Sequence, residues 1–288
     1  MAKYLKPEHP AFYRLRVLAA ESISPGFVRV TLGGDSLSTF RYMGYDHWFR
    51  LFLPQPGQTE PRIPSATSLL WYAQYLTFSK DTKPVVRNYT IRNFRSAGHG
   101  VHGDGPEMDV DFVVHGSGAR GTTHENGTEH DGHAGPASAW AQKAAPGDRV
   151  AIFDEGRIYN PSTEASWQLV VGDESAAPAV LGILRSSPED LRAVAFIEVA
   201  SEADIQPQEV PPGVALHWVV RPHPHAKPGD AALAAVQKAE LPERAPFVYV
   251  AGEQGLATGL RRYLVNDRAV PKSNISFTGY WKFGKAAP

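Results

Sequence analysis

The sequence predicts a β-barrel plus α/β architecture: a six-stranded antiparallel barrel followed by a unit with a parallel sheet. Three observations support this prediction. The chain has 288 residues, which suits about two domains. Its first half contains short alternating strands between Gly, Pro and Asp turns, whereas its second half alternates apolar strands with helices. We therefore expect two domains, at residues 1–158 and 159–288.

The first half contains six alternating segments that predict barrel strands. In order they are Arg14–Leu18, Phe27–Leu32, His47–Leu53, Tyr89–Phe94, Asp109–His115 and Asp148–Phe153. Between the third and fourth, Ala66–Leu76 has apolar residues at helical spacing and predicts an inserted helix. The polar stretch 116–135 has little apolar surface to bury, so we expect a mobile loop there. Its histidines lack a fixed ligand spacing, which favours incidental histidines over a metal site.

The second half has the pattern of a parallel sheet. Its predicted strands are near-continuous apolar runs, at Trp167–Val171, Ala193–Val199, Val214–Val220 and Phe247–Ala251. Helices are predicted between or after them, at Ala177–Leu184, Ala231–Gln237 and Gly255–Val265. A last strand lies within Asn274–Gly284. Apolar strands that alternate with helices are typical of βαβ units.

Composition excludes several classes of function. The net charge of -1 gives no bulk attraction to a nucleic acid. The chain has no cysteine, which excludes disulfides, Cys-ligated zinc and iron–sulfur clusters. No apolar run approaches the ~20 residues of a membrane span, and the N-terminus lacks an apolar signal core. We expect a cytoplasmic, monomeric enzyme or binding protein.

The tetrapeptide Arg87-Asn88-Tyr89-Thr90 offers a cation, an aromatic ring and a hydroxyl within one strand. These groups suit a flavin nucleotide: a guanidinium for phosphate, a ring against the cofactor, and a hydroxyl near its redox-active nitrogen. Because side chains alternate along a strand, Arg87 and Tyr89 project to one face and Thr90 to the other. The same residue types are common in ordinary strands, so the motif alone leaves both interpretations open.

Three turns carry further signals. Gly135–Ala141 begins a helix whose free N–H groups suit a pyrophosphate, although a plain helix start fits equally well. Gly172–Ala179 follows the first apolar strand, at the strand end where open α/β sheets bind ligands. Ala251–Gln254 repeats this arrangement, so the two turns should line one crevice. Asp173 and Glu174 would repel a pyrophosphate, and therefore either cap the helix or meet a nicotinamide.

Taken in order, these motifs resemble the siderophore-interacting protein family, the flavin-dependent ferric-siderophore reductases of the ferredoxin-reductase superfamily. The series is Arg-x-Tyr-Thr, Asp-x-Asp-Phe-Val-Val-His-Gly, Gly-Pro-Ala-Ser-x-Trp-Ala, Pro-Gly-Asp, Gly-Asp-Glu-Ser-x-x-Pro-Ala, Ala-Gly-Glu and Gly-Tyr-Trp-x-x-Gly. The resemblance covers nearly the whole chain. It implies an FAD-binding barrel followed by an NAD(P)H-binding domain, in a ferredoxin-reductase-like fold.

The resemblance also implies roles for individual residues. Arg87 should contact the FAD phosphates, Tyr89 should pack on the flavin, and Thr90 should hydrogen-bond near flavin N5. The other implied cofactor contacts are Val114, His115 and Gly116 along the flavin, Ala137, Ser138 and Trp140 at the pyrophosphate, Asp173, Glu174, Ser175 and Glu253 in the nicotinamide crevice, and Trp281 beside the flavin.

The implied reaction passes a hydride from NADH or NADPH to FAD and then single electrons to Fe(III) in a siderophore. Such electron transfer needs no side-chain acid or base, so we expect no catalytic residue. Many ferric siderophores are anionic, which predicts a basic substrate pocket. Arg50 and Lys282 match basic positions of the family, whereas Ala139 stands where a third basic residue is common.

Several alternatives stay open at this point. The chain could be a general flavin or ferredoxin-type reductase, or a siderophore-binding protein without turnover. The choice between NADH and NADPH is also open. Glu198 and Glu202 favour a free ribose, whereas nearby Arg221 favours a 2′-phosphate.

Overall fold

A computed structural model describes residues 4–67, 70–114, 135–162, 165–223 and 226–285. These residues form one seven-stranded antiparallel sheet and one five-stranded parallel sheet. The predicted fold class, a barrel followed by an α/β unit, is confirmed. Within the described ranges, no helix has both the length and the apolar character needed to cross a bilayer.

The antiparallel sheet is the barrel. Its strands are β1 (Phe12–Ser24), β2 (Phe27–Gly33), β3 (Trp48–Leu53), β4 (Val85–Thr90), β5 (Asn93–Arg95), β6 (Glu107–Val113) and β7 (Arg149–Gly156). Their order in the sheet is β4-β3-β7-β1-β2-β6-β5. The interior is a core of aliphatic and aromatic side chains contributed by alternate positions of these strands.

One short segment closes the barrel, and here the sequence prediction was wrong in detail. We predicted a single strand at Tyr89–Phe94, but the structure divides this region between β4 and β5. The N–H of Ile91 donates to the carbonyl of His47 at 2.9 Å, and the N–H of Arg92 donates to that of Asp109 at 2.8 Å. The chain therefore passes from the β3 side to the β6 side of the sheet within two residues. This division gives seven strands where six were expected.

Two helices pack on the barrel. Helix α1 (Leu70–Leu76) begins later than the predicted Ala66 and lies on the outer surface, where Trp71 packs on Phe52 and Phe153. Helix α2 (Pro136–Ala141) packs small residues into the barrel core. Most of the predicted loop at 116–135, and with it His115 and Gly116, lies outside the described residues.

The elements of the α/β unit are β8 (Gln168–Gly172), α3 (Ala177–Ser186), β9 (Ala193–Val199), β10 (Val214–Val220), α4 (Asp230–Lys238), β11 (Phe247–Glu253), α5 (Gln254–Asn266) and β12 (Ile275–Trp281). The parallel sheet has the order β10-β9-β8-β11-β12. Helix α3 covers one face, and α4 and α5 cover the other, so the central strands are buried on both sides and consist of apolar runs. The strand order reverses between β8 and β11, which is where a sheet of this kind opens a crevice.

Direct hydrogen bonds join the barrel to the α/β unit. Gly182 of α3 lies against the carbonyl of Tyr45, so close that a Cβ at this position would be 2.3 Å from the oxygen. The N–H of Tyr45 donates to Ser186 Oγ at 2.8 Å. Asp204 accepts a hydrogen bond from the N–H of Gly26 at 2.7 Å. These contacts fix the position of the α/β unit relative to the barrel.

Candidate active site

A cleft of about 1290 Å³ lies between the barrel and the α/β unit. Its barrel side comes from β3, β4 and α1, and its other side from β12 and the start of α3. The cleft brings together many of the residues that the sequence analysis selected. Those that line it are Arg50, Arg87, Tyr89, Thr90, Glu174, Ser175 and Trp281.

The pairing of β3 with β4 decides which way the key side chains face. Tyr89 lies opposite Phe49, whose side chain belongs to the barrel core, so Tyr89 and Arg87 lie on the inner face. Thr90 lies opposite Trp48 on the outer face. The alternation predicted for the motif is therefore present. The tetrapeptide presents its charge and ring on one side of the strand and its hydroxyl on the other.

The ring of Tyr89 is held in place by neighbouring aromatics. Its centroid is 4.3 Å from that of Phe112, which in turn is 5.6 Å from that of Trp140. Burial raises the pKa of the Tyr89 hydroxyl, which keeps this side chain neutral. Trp140, together with the buried Val114 and Ala137, packs in or against the barrel core and does not line the cleft.

Helix α2 carries a polar atom without a partner. Ser138 Oγ is buried and has no hydrogen-bond partner among the described residues. A buried hydroxyl normally finds a partner in the folded protein or in a ligand. Helix α2 packs against β4, the strand that carries Arg87. A phosphate group between these elements would satisfy the hydroxyl, so the residues present fit the phosphates of a dinucleotide.

Asp173 is fully buried and organises the far side of the cleft. Its carboxylate accepts hydrogen bonds from the N–H of Ser175 at 2.9 Å, the N–H of Glu253 at 2.6 Å and Nε1 of Trp281 at 3.1 Å. Burial, with the neighbouring Glu174 carboxylate, raises its pKa, while these donors act in the opposite direction. Asp173 does not line the cleft. Its hydrogen bonds hold Trp281 in position and join the turn at Gly172–Ala179 to the turn at Ala251–Gln254.

Glycine is required at position 252, in the turn at the end of β11. Gly252 has a φ of 128°, and a Cβ there would be 2.6 Å from the Asp173 carboxyl group. Glu253 follows and caps α5 by accepting hydrogen bonds from the backbone N–H groups of Gly255 and Leu256. The predicted crevice residue Glu253 thus serves the helix, and it does not line the cleft. Lys282 is exposed and also lies outside the lining.

Glu174 belongs to a buried ion-pair network. Arg221 Nη1 donates to Glu174 Oε2 at 2.5 Å and to Glu198 Oε1 at 3.2 Å. Glu198 also accepts hydrogen bonds from the N–H groups of Gly229 and Ala232, both at 2.8 Å. The sequence pattern had predicted a position beside a ribose for Arg221 and Glu198. In the structure both side chains are buried in this network.

The structure adds aromatic residues that the sequence analysis did not assign to the site. Tyr4, Trp48, Trp71, Tyr72 and Tyr75 all line the cleft. The inserted helix had been predicted, and its closely spaced Trp and Tyr residues were the available signal. The rings belong to the N-terminal segment, β3 and α1, so their proximity depends on tertiary packing.

Two family models match almost the whole chain. One, described as siderophore-interacting FAD-binding domain, matches residues 16–158, and the other, described as siderophore-interacting protein, matches residues 165–284. The chain belongs to the siderophore-interacting protein family. FAD is accordingly the cofactor of its barrel, and Arg87, Tyr89 and the buried Ser138 hydroxyl are groups suited to hold it.

Curated relatives of this siderophore-interacting protein match along nearly their full length. An uncharacterized protein of Mycobacterium tuberculosis is 32% identical, with 95% of this chain and 91% of the relative covered. The ferric vibriobactin reductase of Vibrio cholerae is 28% identical, covering 91% and 86%. The NADPH-dependent ferric-chelate reductase of Escherichia coli is also 28% identical, covering 94% and 92%.

Solved structures agree with the family. A siderophore utilization protein from T. fusca superposes with a TM-score of 0.76 and 27% identity, covering 99% of this chain and 97% of that one. The siderophore-interacting protein SipS from Aeromonas hydrophila gives 0.69 and 26%, covering 95% and 99%. A ferredoxin reductase of carbazole 1,9a-dioxygenase gives 0.60 at 14% identity, covering 94% and 70%. The last comparison shows the shared ferredoxin-reductase-like fold.

Proposed function

We propose that this protein is an FAD-dependent reductase that passes electrons from NADH or NADPH to Fe(III) in a siderophore complex, releasing Fe(II) for use in the cytoplasm. The observation that supports this proposal is the shared cleft. Arg87, Tyr89 and Thr90 of the barrel face the same space as Ser175 and Trp281 of the α/β unit. Groups suited to a flavin and groups suited to its electron donor thus meet at one site.

Each residue has a task in this proposal. Arg87 and Ser138 bind the phosphates of FAD, and the Tyr89 ring packs beside the flavin. Thr90 offers its hydroxyl at the flavin edge, where it orients the reactive nitrogen. FAD, when bound, supplies the redox chemistry by accepting a hydride and giving up single electrons. Asp173 fixes Trp281, so that this ring limits access to the site.

The cleft is large enough for more than one molecule. Its volume of about 1290 Å³ exceeds the ~300–1,000 Å³ typical of a pocket for one small ligand. We expect a ferric chelate to share this cleft with the bound flavin. Two relatives named as ferric reductases, from Vibrio cholerae and Escherichia coli, support the same reaction.

The test uses purified protein loaded with FAD. Mixed anaerobically with NADH or NADPH, the flavin absorbance should bleach, and it should return when a ferric siderophore is added together with a trap for Fe(II). Trapped Fe(II) in amounts that follow nucleotide consumption is the expected result. Bleaching without Fe(II) would indicate a general flavin reductase, and chelate binding without any electron transfer would indicate a siderophore-binding protein.

A further inference from the structure

Five aromatic side chains line the barrel side of the cleft in two groups, and the Arg50 guanidinium lies between the groups. This aromatic platform consists of Tyr4, Trp48, Trp71, Tyr72 and Tyr75. Tyr4 packs edge-to-face on Trp48 at 5.8 Å, and Tyr72 stacks on Tyr75 at 6.1 Å. Tyr72 remains 52% exposed. Tyr4 is 37% exposed, whereas Trp71 is buried and supports Tyr72 through an edge-to-face contact at 5.5 Å. Exposed aromatic rings inside a ligand-sized cleft form a binding surface for planar groups.

The aromatic platform begins beside the proposed redox site. Trp48 lies directly opposite Thr90 in the pairing of β3 with β4. Directly opposite residues of an antiparallel pair share a face and lie close together. A molecule on the platform would therefore be adjacent to the Thr90 hydroxyl. This is the position that a ferric chelate must occupy to receive electrons under the proposed function.

The main cation of the platform is already paired. The Arg50 guanidinium lies 5.6 Å from the Trp48 ring and 5.3 Å from the Trp71 ring. Its Nε donates to Glu155 Oε1 at 2.5 Å. Glu155 lies beside a register shift between β3 and β7, a feature that redirects side chains. Arg50 therefore enters the site as part of a neutral pair.

Lys83 is the second cation on this surface, with its Nζ 4.5 Å from the centroid of the Tyr75 ring. Arg50 and Lys83 against the Glu155 carboxylate leave one net positive charge on the platform. The Arg87 charge also acts on the Tyr75 hydroxyl, but under the proposed function Arg87 is bound to the FAD phosphates. Of the other cations lining the described cleft, Arg261 and Lys272 belong to the α/β side.

We propose that the aromatic platform selects ferric chelates of low charge that carry an aryl ring, in preference to trianionic tris-catecholate complexes. The inference rests on the proposed function and names its substrate class. Stacking of an aryl ring on an aromatic side chain adds to the affinity beyond the apolar area that the ring buries. A trianionic chelate finds too little positive charge here to offset the loss of its hydration. A neutral chelate with an aryl ring loses little hydration and gains the stacking.

The experiment measures binding of Ga(III) chelates to the FAD-loaded protein by calorimetry. Ga(III) has the charge of Fe(III) but is not reduced, so binding is separated from electron transfer. Three probes are compared: a neutral chelate of two hydroxamates and one hydroxyphenyl group, a neutral aliphatic trihydroxamate, and a trianionic tris-catecholate. The first should bind at least about tenfold more tightly than the third, a difference of ~1.4 kcal/mol.

Variants assign the preference to named residues. Trp71→Leu removes the buried ring on which Tyr72 packs, and it should weaken the aryl chelate about tenfold while leaving the aliphatic trihydroxamate within about twofold. Tyr72→Ser should act in the same direction, and because Tyr72 is exposed, this variant tests the inference even if Trp71→Leu impairs folding. Glu155→Gln frees Arg50 and should strengthen tris-catecholate binding. Trp218→Leu, on strand β10 outside the cleft lining, is the matched control and should change nothing.

Two results would overturn the inference: tightest binding of the tris-catecholate by the unaltered protein, or aryl-chelate binding that Tyr72→Ser leaves unchanged. Failure of the proposed function looks different. In that case the ranking of the Ga(III) chelates stays as expected, but Fe(II) does not form when NADH or NADPH is supplied.

Discussion

At the residue scale, Arg87 is the side chain whose role can be tested most directly. It lies in the cleft on the inner face of β4, the strand against which helix α2 packs. Arg87→Ala should weaken FAD binding about tenfold to a hundredfold, because a hydrogen bond to a charged group contributes about 1.5–3 kcal/mol. Titration of the flavin-free protein with FAD, followed by flavin fluorescence, measures the change.

The matched control for Arg87 is Lys83→Ala. Lys83 also lines the cleft, but its Nζ lies over the Tyr75 ring on the α1 side. It should leave the Kd for FAD unchanged. Equal FAD affinity in Arg87→Ala and the unaltered protein would remove Arg87 from the phosphate site.

Arg221 leads to a different kind of prediction, because it is buried between two carboxylates. Arg221→Ala should lower the free energy of unfolding by about 3–5 kcal/mol, since it leaves buried charge without its partner. Urea denaturation measures this loss, and the exposed Arg268→Ala should show almost none. The ratio of kcat/KM for NADPH and NADH should not change. A changed ratio at full stability would instead indicate that Arg221 binds the 2′-phosphate.

Arg87, Thr90 and Arg221 show which side-chain positions can be predicted from the sequence and which cannot. Alternation along a strand was sufficient to place Arg87 and Thr90 on opposite faces, because that relation is local. The pairing of Arg221 with Glu174 and Glu198 joins residues from separate strand ends, and only the folded sheet brings them together. A strand-end arginine has the same sequence pattern whether it is exposed or buried.

At the element scale, the barrel strands could be predicted because their side chains alternate, but the break between β4 and β5 could not. Ile91 and Arg92 continue the alternation, so the pattern alone gives one strand. The break arises because these two residues bond to different neighbours, at His47 and Asp109. The parallel sheet was easier to predict, since burial on both faces leaves continuous apolar runs.

Helix α3 provides a test of packing between elements. In an exposed helix, replacing Gly by Ala stabilises by about 1 kcal/mol. Gly182→Ala should do the opposite and cost about 1–3 kcal/mol, because the new methyl group would overlap the Tyr45 carbonyl. Thermal or urea unfolding measures the sign of the change.

Gly259→Ala in α5 is the matched control for Gly182→Ala. Its nearest neighbour would be the terminal methyl group of Leu233 at 3.1 Å, which can move aside. We expect it to be neutral or mildly stabilising. If both substitutions stabilise the protein, the close approach of α3 to the barrel is not required.

At the scale of the whole molecule, the barrel and the α/β unit should unfold together. Asp204 accepts hydrogen bonds from Ser24 Oγ and the N–H of Gly26, both at 2.7 Å, and Ser186 accepts one from Tyr45. Calorimetry at a fixed FAD concentration should show one transition with equal calorimetric and van't Hoff enthalpies. Two resolved transitions would show that the proposed domains, 1–158 and 159–288, are energetically independent.

The network around Arg221 also has an evolutionary consequence. Glu174 lines the cleft, while Glu198 holds the first turn of α4 through the N–H groups of Gly229 and Ala232. A single substitution at Arg221, Glu174 or Glu198 would leave a buried charge without its partner and lower the stability of the protein. A second substitution in the network would be needed to restore that stability. We therefore expect the three positions to change together among homologous sequences, so that a substitution at Glu174 in the cleft wall is accompanied by substitutions at the ends of β9 and β10.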